Sequence, residues 1–156
     1  MTITNPKHII CAVRGGPESR HTVTKAINMA LDSDAQLTFL HVADAEFLAP
    51  ATIAPLSVVY HELIEMSKFA MLILCDRAQR RGVTRVDYKV VEGRIRQQLH
   101  QFAIDTHAEL MVMGRPIRSP GSNVFKPDLF DTFTANLAKE ANIEILHVTP
   151  ENHTGD

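Results

Sequence analysis

The sequence predicts an α/β fold: a single doubly wound, five-stranded parallel sheet of flavodoxin size, with four helices and strand order 3-2-1-4-5. Short apolar runs alternate with longer stretches of helical period along the whole chain. Three of those runs, His8 to Val13, Leu37 to Val42 and Leu110 to Met113, are apolar at nearly every residue, as strands buried on both faces are. The other two, Val86 to Val90 and Ile143 to Val148, interleave charged or polar residues and so belong at the sheet's edges.

The first strand ends in Arg14-Gly15-Gly16-Pro17, and Pro17 suits the first turn of a helix. Val23, Ala26, Ile27, Ala30 and Leu31 recur at three-and-four spacing, which predicts a helix reaching Asp32-Ser33-Asp34 with that stripe on the sheet. Leu37 to Val42 completes a parallel crossover unit. From Ala43 to Ser57 two prolines and no sustained period read as a lid-like loop, with Ser57 as a cap. Val58 to Arg81 is the longest helix, its core stripe read as Val59, Leu63, Met66, Ala70, Ile73 and Leu74, and Gly82 stops it. Val86, Tyr88 and Val90 alternate with Arg85, Asp87 and Lys89 in an edge strand. Gly93 precedes a helix with Ile95, Leu99, Phe102 and Ala103 inward, closing near His107. After the fourth strand, Phe130, Phe133, Leu137 and Ala141 mark a helix opening near Pro127, and the last strand follows at once. Residues 1–150 form one domain and 151–156 a polar tail.

Composition narrows the function classes. The chain has 156 residues, 45% of them hydrophobic, enough for one core. A net charge of −2 argues against nucleic acid as partner, and no apolar run reaches the roughly 18 residues of a membrane span. The expected location is the cytoplasm. Cys11 and Cys75 lie in apolar segments without CxxC spacing and read as buried structural thiols. Met66, Met71, Met111 and Met113 fall on inferred core faces. The eight histidines form no HExxH or Cys/His cluster, so no metal is expected, and His41 and His147 near strand ends suit local hydrogen bonding. No Gly-x-Ser-x-Gly elbow, P-loop or GxGxxG motif occurs, and nothing supports covalent catalysis.

The candidate site follows the fourth strand. That strand empties into Gly114-Arg-Pro-Ile-Arg-Ser-Pro-Gly-Ser122, and a helix opens beyond it. In the predicted order the topological switch lies between the first and fourth strands, so this loop stands beside Arg14, where an anion would meet a helix amino end. Arg14, Arg115, Arg118 and Lys126, with Ser119 and Ser122, make the loop cationic.

Ile9-Ile-Cys-Ala-Val-Arg-Gly-Gly-Pro-Glu-Ser19, Leu40-His-Val42, Val91-Glu-Gly-Arg94, Met111-Val-Met-Gly114 and the close from Ala135 to Val148, in this order and spacing, resemble the universal stress protein family. The resemblance implies the same five-stranded fold, a homodimer through the last strand (here Ile143, Ile145 and Val148), and a division between ATP-binding and non-binding branches. Binding members carry Gly-x2-Gly-x9-Gly-Ser/Thr after the fourth strand and an acidic residue after the first. Here Gly114 matches the first glycine and Ile117 replaces the second. The last pair falls on Pro127-Asp128, or on Asp131-Thr132 when aligned from the chain's end, and Arg14 reverses the acidic charge. A carboxylate at Asp128 or Asp131 would repel a triphosphate and could pair with Arg14.

The expected function is therefore a non-enzymatic, dimeric stress-response module with impaired ATP binding, no cofactor and an unidentified protein partner. The alternative is an ATP- or AMP-binding switch, with slow hydrolysis and a lid at Ala43 to Ser57. Its crevice would be Arg14, Val42, Gly114, Arg115, Arg118, Ser122 and Thr132. A flavodoxin-like redox protein is a weaker third reading.

Overall fold

The computed structural model describes residues 5–14, 19–43, 54–114 and 127–149, with side chains at 54–57 and 127–129 left aside. In chain order the elements are β1 (His8–Ala12), α1 (Ser19–Ser33), β2 (Gln36–Ala43), α2 (Ala54–Arg81), β3 (Val86–Glu92), α3 (Ile95–Thr106), β4 (Leu110–Gly114), α4 (Pro127–Glu140) and β5 (Glu144–Val148). All strand pairs are parallel, in the order β3-β2-β1-β4-β5, as the sequence predicts.

Alternation along the strands divides the core into two layers. Ile9, Cys11 and Val13 of the β1 segment join Leu37, Phe39 and Val112 beneath α1 and α2, with Val23, Ala26, Ile27, Met71, Cys75 and Ala78. Ile10 joins Leu40, Met111 and Met113 against α3 and α4, through Leu99, Ala103, Phe130 and Leu137. Both cysteines are buried free thiols, as their apolar settings predict.

The four helices stop in the same way. Asp34, Gly82, His107 and Asn142 all have positive φ, between 50° and 112°, and each is followed by a buried apolar residue: Ala35, Val83, Ala108 and Ile143. The amides of Ala35, Val83 and Ile143 reach back five residues, to the carbonyls of Ala30, Ala78 and Ala138, at 3.0, 3.0 and 3.1 Å. These are Schellman closures, which satisfy helix-end carbonyls and tuck the next apolar side chain under the last turn.

Three expectations are corrected. Helix α2 begins at Ala54, so Ala54 to Ser57 are helical and Ser57 is not its cap, while Ala43 ends β2. Residues 44–53 of the expected lid, and Pro17, lie outside the described residues. The stripe assigned to the core of α2 faces outward: Val59, Leu63, Met66, Ala70 and Ile73 are exposed, and Leu74 is half-buried. The inward face is Ile64, Met71, Cys75 and Ala78. Length explains much of this, because 28 residues of helix extend about 42 Å while the eight of β2 span about 26 Å. Leu31 of α1, likewise placed in the core, is 36% exposed. Among the described residues no helix is long and apolar enough to cross a membrane.

Candidate functional site

The strand order makes β1 the point of divergence: β1 pairs with β2 on one side and β4 on the other, and in sheets of this kind ligands bind at the carboxyl edge of such a point. Arg14 stands there, exposed, just beyond Val13. The amide of Val13 donates to the carbonyl of Leu40 at 2.8 Å, extending the ladder one residue past β1. His41 Nδ1 lies 2.8 Å from the carbonyl oxygen of Val13. A carbonyl only accepts, so Nδ1 carries the proton and the ring fixes the backbone immediately before Arg14. Local bonding is what the position of His41 predicts.

Gly114 closes β4, in register with Val148 of β5. A Cβ added there would lie 3.0 Å from Thr22 Oγ1 on α1, so the glycine lets the two elements approach closely. Thr22 is 4% exposed, and its carbonyl oxygen lies 4.0 Å from Cys11 Sγ. Sequence reasoning missed Thr22, since a threonine early in a helix ordinarily faces solvent. Its one signal is four-residue spacing to Ala26 and Ala30, both buried on the same side.

Val42, half-buried near the end of β2, packs against the α3 and α4 layer. In α4 the Phe130 ring meets His147 of β5 edge-on, with centroids 5.3 Å apart, and His147 is in register with Met113. This contact brings the start of α4 to the carboxyl edge beside β4. Asp131 and Thr132, which follow Phe130, are exposed. Thus Arg14, Val42, Gly114 and Thr132 stand at one edge of the sheet. Arg115, Arg118 and Ser122, as well as Lys126, lie outside the described residues, and so does the side chain of Asp128.

A second polar group occupies the opposite, amino edge. Thr38 Oγ1 donates to Asp87 Oδ1 at 2.5 Å and accepts from His8 Nε2 at 2.9 Å, linking β1, β2 and β3. Burial lowers the His8 pKa from its usual 6.5, against opposing pulls from Asp87, the Thr106 backbone and Glu109. With Thr38 only 3% exposed, the row is a structural tie with no space for a substrate at its hydroxyl. Among the described residues no three His, Cys, Asp or Glu side chains converge as metal ligands would.

A model of the universal stress protein family matches residues 5–149. Among solved structures, universal stress protein UspA from Lactobacillus plantarum is similar at 19% identity and a TM-score of 0.69, covering 92% of this chain and 98% of its own. A universal stress protein in complex with cAMP is similar at 21% identity and a TM-score of 0.62, over 94% and 99% of the two chains. The universal stress protein from Archaeoglobus fulgidus in complex with dAMP matches at 11% identity and a TM-score of 0.55, over 93% and 98%. No curated protein matches the chain.

Proposed function

We propose, from the premise that this chain belongs to the universal stress protein family, that it is a non-enzymatic stress-response module, homodimeric through β5, in which family-type ATP binding is impaired. It acts in the cytoplasm on an unidentified protein partner. The observation that carries the reading is the exposed Arg14 at the end of β1, where the family's ATP-binding members place an acidic residue. Asp131 adds a negative charge near the start of α4, the end whose dipole would otherwise attract phosphate. In this reading Arg14 pairs with Asp131 or Asp128 and substitutes for the ligand.

The test is to denature the purified protein and examine the released small molecules by mass spectrometry. The expected result is no nucleotide in stoichiometric amount; one ATP or AMP per chain would overturn the proposal.

The alternative is a nucleotide-binding switch. It is favoured by the cAMP and dAMP held by two similar structures and by the cationic Arg115 and Arg118 in this sequence. The two readings separate in a titration with ATP. If the reversed charge at Arg14 is what impairs binding, Arg14→Asp gains affinity, by about tenfold for 1.4 kcal/mol. If Arg14 instead helps to hold phosphate, the same substitution abolishes binding.

A further inference from the structure

The outward face of α2 carries large apolar residues over more than four turns. Val58, Val59, Leu63, Met66, Phe69, Leu72 and Ile73 are each between 45% and 66% exposed, and Ala70 is exposed among them. At on the order of 100 Å² bared per half-exposed large side chain, the seven exceed the few hundred Å² of an ordinary monomer's apolar patch. They approach the about 800 Å² that each partner contributes to a standard interface.

The charges within and just beyond this face differ in sign along the helix. Glu62 and Glu65 lie toward the start of the helix, and Arg77 and Arg80 toward its end. Glu65 is already paired with Lys68 at 3.1 Å, and Arg80 with Asp76 at 2.9 Å. Glu62 and Arg77 have no ion-pair partner among the described residues.

We propose that this face docks on the same face of a second copy of the chain, the two α2 helices antiparallel about a two-fold axis. Laying Met66 against the second copy's Ile73 puts the axis between Phe69 and Ala70. Each Phe69 ring then covers the other copy's Ala70, a large residue over a small one. The same register sets Glu62 opposite Arg77, twice by symmetry. Antiparallel helices in near-aligned packing bring such positions within side-chain reach. A face acidic at one end and basic at the other is complementary to itself when reversed. An anionic lipid surface would repel the Glu62 end. The proposal uses a surface distinct from β5 and does not rest on the reading of the nucleotide site.

Sedimentation equilibrium of the full chain over a concentration series tests it, with circular dichroism confirming that each variant is folded. Met66→Glu combined with Phe69→Glu is expected to remove one association step and lower the largest mass, by half where the wild-type assembly is a dimer or a closed tetramer. Glu62→Arg alone and Arg77→Glu alone should each weaken that step about five- to tenfold, since two exposed pairs become repulsive. The double reversal E62R/R77E should restore it. A folded Met66→Glu/Phe69→Glu protein with the wild-type mass would overturn the proposal, and so would a double reversal no stronger than the singles. A wild-type chain that stays monomeric and co-floats with phosphatidylcholine vesicles would assign the face to lipid and overturn it equally.

Discussion

His8 carries a pH dependence whose sign follows from its surroundings. Burial disfavours the imidazolium more than Asp87, the Thr106 backbone and Glu109 favour it, so the folded chain gives up this proton more readily than the unfolded chain does. The neutral ring's contribution is therefore fully present above the unfolded pKa near 6.5 and declines as pH falls below it toward the folded value. Urea denaturation between pH 7.5 and 5 should show stability falling on acidification, with a shallower slope in His8→Gln; an unchanged slope would remove His8 as the cause. The thiols make a second prediction at this scale. Burial pushes Cys11 up to about 12 and Cys75, with a smaller push from Asp87, up to about 11. At pH 8 the Cys11 thiolate fraction is then on the order of one in ten thousand, so an alkylating reagent should label neither thiol in the folded chain and both after denaturation. Rapid labelling of native Cys75 would contradict its placement on the inward face of α2.

The shared helix stop gives predictions at the scale of elements. Asp34 and His107 occupy left-handed backbone at φ 51° and 53°, which a side chain adopts at a cost and glycine does not. Asp34→Gly and His107→Gly should each stabilise the fold by about 0.5–1 kcal/mol, measured by chemical denaturation. Gly93→Ala should destabilise by about 1–3 kcal/mol: φ is 142° there, and the new Cβ would lie 2.8 Å from Gln98 Nε2. Of these stops, Gly82 was legible in the sequence because it is a glycine after a basic pair, whereas the other three use residues that also serve in ordinary turns. Sheet order was legible for a clearer reason: buried strands are apolar throughout and β3 alternates, so polarity encodes position. The phase of α2 was not. With apolar residues on both its inward and outward faces, periodicity offers two stripes, and the one with larger residues is the one that packing leaves outside.

For the whole molecule, part of the candidate site was legible and part was not. The crevice between β1 and β4 follows from strand order, which the strands' own chemistry sets. Arg115 to Lys126, which carry the cationic part of the proposed site, show no hydrophobic period, so the sequence dictates no element there. Assembly, by contrast, can be argued from the placement of the elements. Helix α2 covers the β3 side of the sheet, and β5 forms the opposite edge. Two separate two-fold contacts cannot both be satisfied within one dimer, so together they generate a closed tetramer or an open chain. Val148→Lys, which sets like charges near each other across a paired β5 edge, should leave a dimer held by α2. Phe69→Glu should leave a dimer held by β5, and the combined variant should be a monomer, each mass read by sedimentation equilibrium. A Val148→Lys protein with the wild-type mass would dismiss the strand contact and leave the helix contact as the whole basis of association. A combined variant that stays dimeric would place the real interface on a third surface.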